Sequence, residues 1–151
     1  MPHFAPFHHS LACEKRKAAT EALAAYRAPP SLLADVASTD ARRGEALMAL
    51  GDVPGARAAF ARALARGMDT PRVRLGLAQT ALRAADPAAG LPHAEAAWRA
   101  HPRSAYAAAT LALCLAGTGN RARALALTAE ARRLRPDEGD YAELARRLGA
   151  P

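Results

Sequence analysis

His8, His9 and Cys13 are the first residues whose types and spacing suggest chemistry. His9 and Cys13 are four apart, so a helix would place both on one face. That spacing supplies two ligands, whereas a stable zinc site needs about three or four, and no metal is expected. His93 and Glu95 are two apart and do not face each other on a helix. His101 precedes Pro102 and belongs to an exposed turn. Cys114 lies in the apolar run LALCLA, where a free thiol behaves as a small core residue. Activating it would take a positive neighbour, and none is local. The sequence has no GxSxG, no phosphate-binding loop, no HExxH and no GxGxxG. Neither catalysis nor a cofactor is expected.

Charge is the next possible source of function. Lys and Arg total 21 against 14 Asp and Glu, a net +7. The excess is spread along the chain, which reads as a solvated arginine face. Single-strand nucleic-acid readers set aromatic platforms beside positive charge. Only 5% of this chain is aromatic, and Trp98 reads as core, so nucleic acid is a disfavoured partner. Lys15-Arg16-Lys17 is too short a basic run to change that. Cys13 and Cys114 have no CxxC partner, which suits free thiols in a reducing, cytoplasmic compartment. Residues 1–13 lack the basic start and apolar run of a signal peptide or lipoprotein leader. No stretch approaches the ~20 apolar residues of a membrane span.

The elements that position these residues repeat with a period of 34. Asp52, Asp86 and Asn120 are so spaced, as are Gly51, Ala85 and Gly119 just before them. The small residues Gly44, Ala78 and Ala112 recur likewise, then Ala56, Gly90 and Ala124, then Ala63, Ala97 and Ala131. A fixed period in this range signals stacked supersecondary units. Thr70-Pro71 and Asp86-Pro87 each read as an N-cap followed by a first-turn proline. The few residues between paired helices force antiparallel neighbours. Helices are expected at about 40–50, 53–66, 71–84, 87–100, 104–116 and 121–134, the first capped by Ser38-Thr39-Asp40. Before them come an irregular tail over 1–9, a helix over 10–27 and a short helix from Ser31 to Val36. The longer helix carries an apolar stripe of Leu11, Ala18, Ala22, Leu23 and Tyr26. A last helix ends near Leu148, with Tyr141, Leu144 and Leu148 inward and Glu143, Arg146 and Arg147 outward. Scarce valine, isoleucine and aromatics leave no strand expected.

Gly44, Gly51-Asp52, Ala56, Phe60, Ala63 and Leu64 resemble the tetratricopeptide repeat motif. So do Ala112, Gly119-Asn120, Ala124, Ala131 and Pro136 in a later unit. The resemblance covers residues 37–138 and implies an all-α, right-handed solenoid. Its units are 37–70, 71–104 and 105–138, with a cap or degenerate repeat over 1–36 and a capping helix over 139–151. It further implies a protein- or peptide-binding groove lined by the first helix of each pair. Glu45 and Met48 come from the first unit, Arg72, Leu75, Gln79, Leu82 and Arg83 from the second, and Tyr106 and Leu113 from the third. An acidic group on the ligand would complement Arg72 and Arg83, and Tyr106 should approach Arg72. The carboxylate clamp of some family members is not expected, because the only lysines precede the repeats and the only asparagine, Asn120, starts a helix. The alternatives are an oligomerisation part acting through apolar end faces and, less favoured, a basic nucleic-acid binder. Oligomeric state is not legible in the sequence.

Overall fold

The computed structural model describes residues 5–26 and 36–149. Among them are eight helices and no strand: α1 (Ala5–Tyr26), α2 (Val36–Leu50), α3 (Val53–Ala65), α4 (Pro71–Arg83), α5 (Pro87–Ala100), α6 (Ala105–Gly117), α7 (Arg121–Leu134) and α8 (Gly139–Arg147). They fall into two compact units, divided between Met68 and Asp69. In the first, α1 packs on α2 and α2 on α3. In the second, the α4–α5 hairpin stacks on the α6–α7 hairpin, and α8 packs on α7. No helix among the described residues is long and apolar enough to cross a membrane.

One turn, used three times, explains the 34-residue landmarks. Asp52 N–H donates to Leu47 O, Asp86 N–H to Ala81 O and Asn120 N–H to Leu115 O, each at 2.9 Å. These bonds satisfy carbonyls that a helix end leaves without partners. They require a left-handed residue just before, and Gly51 (φ 83°), Ala85 (φ 57°) and Gly119 (φ 90°) supply it. The same Asp52, Asp86 and Asn120 then accept, through their side chains, from the N–H groups of Gly55, Ala89 and Arg123 at 3.0, 3.3 and 3.3 Å. A single residue thus closes one helix and caps the next.

Ala85 is the strained copy of this turn. An L-residue in the left-handed region costs ~1–2 kcal/mol, partly offset because glycine loses more entropy on folding. Ala85→Gly should therefore stabilise the protein by ~0.5–1 kcal/mol, while Gly51→Ala should destabilise it. Thermal melts of the two variants check the opposite signs.

The nine small positions are all buried. They let paired backbones approach closely. At Gly44 the fit is tightest, since a Cβ there would lie 2.9 Å from the Phe60 ring and push it aside. Leu111, Leu115, Leu127 and Tyr141 fill the second unit, with Leu82, Leu91, Trp98 and Leu144 packed against them.

The first unit departs from expectation at its start. Helix α2 begins at Val36, so Ser38, Thr39 and Asp40 lie within it rather than capping it. Asp40 is 3% exposed and ion-paired to Arg43 on its own helix, to Arg62 on α3 and to Arg66 at the α3 C-cap. Its carboxylate pins the α2–α3 hairpin. Helix α1 begins at Ala5, inside the expected tail. It buries Ala19 and exposes Ala18, one position off the expected stripe. The side chains of His8, His9 and Cys13, and the expected short helix apart from Val36, lie outside the described residues.

Candidate functional site

Helices α4, α6 and α8 start at Pro71, Ala105 and Gly139, each one period after the last. Equivalent positions on them are Arg72, Tyr106 and Asp140, then Leu75, Ala109 and Glu143, then Gln79, Leu113 and Arg147. A cavity of about 390 Å³ opens where this face of α6 meets α8. Gln79 lines it from α4, and Tyr106, Ala109, Thr110 and Leu113 from α6. Glu138, at the N-cap of α8, lines it together with Asp140, Tyr141, Glu143, Leu144 and Arg147 of that helix.

Tyr106 is 51% and Leu113 39% exposed, seven residues apart on one face of α6. Both are large side chains that the fold leaves partly uncovered at the cavity. Gln79 fastens α4 to α6: its Nε2 donates to Thr110 Oγ1 at 3.2 Å, and its side chain also bonds the Tyr106 hydroxyl. Thr110 donates in turn to Tyr106 O at 2.8 Å. Partial burial raises the Tyr106 pKa, opposed by the Arg83 charge and the Gln79 hydrogen bond. Burial also raises the Tyr141 pKa, helped by Glu138, which accepts its hydroxyl. Both phenols are therefore neutral at physiological pH and able to donate.

Gln79, Tyr106 and Leu113 of the expected groove thus line one cavity. Arg83 stands at the C-terminal end of α4, close enough to influence Tyr106. Arg72, the expected neighbour of Tyr106, lies about 16 Å from Arg83 along α4. Arg72 is exposed, Leu75 is half-buried, and Leu82 packs partly into the core. Glu45 and Met48 are half-buried on α2, in the first unit. The α8 residues were missed because their stripe reads as a simple cap. Carrying the period once more beyond α6 would have placed Asp140, Glu143 and Arg147 on the groove face.

Other polar clusters are structural. Arg74 holds Asp69 through two bonds of 2.7 and 2.9 Å and lies 3.0 Å from His93 Nδ1. The Arg74 hydrogen bond holds the Asp69 carboxyl below its ordinary range. Glu95 accepts from Arg123 at 2.8 and 3.2 Å, and that contact lowers its pKa. Arg123 also sits 5.9 Å from the centre of the Trp98 ring, a cation–π distance. Cys114 is fully buried, and desolvation pushes its thiol up to about 11. Among the described residues, no three His, Cys, Asp or Glu side chains group around a common metal position.

A family model described as tetratricopeptide repeat matches residues 37–80. No curated protein matches the chain by sequence. Among solved structures, MamA from Desulfovibrio magneticus RS-1 is similar, with a TM-score of 0.80 and 22% identity over 95% of this chain and 82% of that one. YrrB, described as a TPR protein with an unusual peptide-binding site, has a TM-score of 0.75 and 22% identity, over 97% of this chain and 73% of that one. The first TPR of Spaghetti (RPAP3), bound to the HSP90 peptide SRMEEVD, has a TM-score of 0.70 and 12% identity, over 75% of this chain and 90% of that one. At these identities the likeness is one of fold, an all-α solenoid of helix pairs. The repeat matched at 37–80 and the turn that recurs at Asp52, Asp86 and Asn120 accord with that fold.

Proposed function

We propose that the protein is a non-enzymatic scaffold that binds a protein or peptide segment in the groove of α4, α6 and α8. The observation that carries this reading is the cavity of about 390 Å³ with Tyr106 and Leu113 exposed in it. Cavities of this size suit individual side chains of a docked segment. Arg72 and Arg83, exposed at the two ends of α4, offer charge to an acidic group of the ligand. Two of the similar structures are described by peptide binding, which supports the same use of the fold here. The buried, poorly ionised Cys114 thiol speaks for binding over catalysis. Nucleic-acid binding is disfavoured further by the arginines already committed to carboxylates, such as Arg74, Arg123 and Arg133.

The test is a partner captured from the source cell and mapped to a peptide, titrated against the full chain. Tyr106→Ala with Leu113→Ala should weaken it at least about tenfold, since buried aromatic anchors dominate such interfaces. Arg72→Ala with Arg83→Ala should reduce its on-rate and salt dependence. Arg132→Ala with Arg133→Ala, on α7, should have little effect. A partner that responds only to the α7 variant would place function on the other surface.

A further inference from the structure

The two sides of the groove differ in charge, and this difference constrains the ligand. Helix α4 presents Arg72 and Arg83. The equivalent face of α8 carries Asp140 and Glu143, with Glu138 at its N-cap. Arg147 is the one basic side chain lining the cavity. Resting on the groove reading above, we propose that the α8 side of the cavity takes an arginine or lysine of the partner, next to a large apolar side chain. The ligand is then a segment with a basic anchor at α8, rather than an acidic one throughout.

Three observations favour a cation there. The cavity walls are apolar and aromatic, from Tyr106, Leu113, Tyr141 and Leu144, so a long aliphatic stem can lie against them while its charged head reaches the rim. Tyrosine faces attract cations, and both phenols stay neutral through burial. Apart from the Glu138–Tyr141 hydrogen bond, the contacts seen at Glu138 and Glu143 are ion pairs with exposed arginines on their own local segment. Glu143 pairs with Arg146 and Arg147, three and four residues on, and Glu138 pairs with Arg135. Exposed pairs of this kind contribute little, so a ligand cation can replace them. An acidic ligand group would instead meet three carboxylates.

The test pans a displayed library of random dodecapeptides against the full chain and two variants. One is Asp140→Asn with Glu143→Gln, which spares the Glu138–Tyr141 bond; the other is Tyr106→Ala with Leu113→Ala. Circular dichroism verifies that both keep the helical signal. Selected peptides should carry Arg or Lys beside Leu or an aromatic. Synthetic copies should bind the carboxylate variant about three- to tenfold more weakly, with a shallower salt dependence. Peptides without a positive bias, or bound equally by the carboxylate variant, overturn the cation assignment. The groove then stands if the Tyr106/Leu113 variant still loses them. Peptides bound equally by the Tyr106/Leu113 variant, or no enrichment at all, overturn the groove reading as well. Self-association that the carboxylate substitutions dissolve would make the occupant a second copy and overturn the proposal of a foreign segment.

Discussion

Ala97→Trp is expected to lower the melting temperature by roughly 6–12 °C, while Ala88→Trp leaves it nearly unchanged. Ala97 is fully buried on α5, at one of the small positions that allow close helix approach. Ala88 is exposed in the first turn of the same helix. Overpacking costs ~1–3 kcal/mol and sometimes more. An indole in a closed helix–helix contact belongs at the upper end, and ~3 kcal/mol converts to that shift for a chain of this size. Both variants add the same side chain to the same helix, so propensity cancels in the comparison. Equal melting temperatures would contradict the packing of α5.

Asp40→Ala should destabilise the first unit by about 2 kcal/mol. Its carboxylate is almost wholly buried and joins α2 to α3 through Arg62 and Arg66. Breaking a fully buried pair costs ~3–5 kcal/mol because a charge is stranded. Here the arginines are 45% and 47% exposed and can turn to water, so the expected loss is smaller. Amide exchange in α2 and α3 should accelerate, and Asp40→Asn, which keeps an acceptor, should lose less. A variant as stable as the parent would show that apolar packing alone holds this hairpin.

Most helix termini were legible where the sequence writes a cap. Thr70, Asp86 and Asn120 accept the first free N–H groups as expected, and α4, α5 and α7 begin at the anticipated residues. At α2 the same reasoning failed. Asp40 has the chemistry of a cap, but two arginines over twenty residues later, on α3 and at its C-cap, draw it into an ion-pair cluster. Tertiary partners of that kind leave no local mark. The cavity was half legible. Periodicity put Gln79 of α4 and Tyr106 and Leu113 of α6 on the face that lines it. His93 was dismissed for its poor geometry with Glu95, whereas its neighbour is Arg74, nineteen residues earlier on α4.

The fit of Gly44 against Phe60 bears on how such a chain can change over evolutionary time. The corresponding pairs are Ala78 with Ala94 and Ala112 with Thr128, all buried. A large ring in one helix is matched by the absence of a side chain in its partner, and smaller residues by alanine. Single helices are therefore not interchangeable cassettes. Recombination that set α4 in place of α2 would bring a methyl group onto the Phe60 ring, at the 2.9 Å where a Cβ has no room. Whole pairs can be duplicated or lost as units, but single helices cannot be traded between them without a compensating change across the contact.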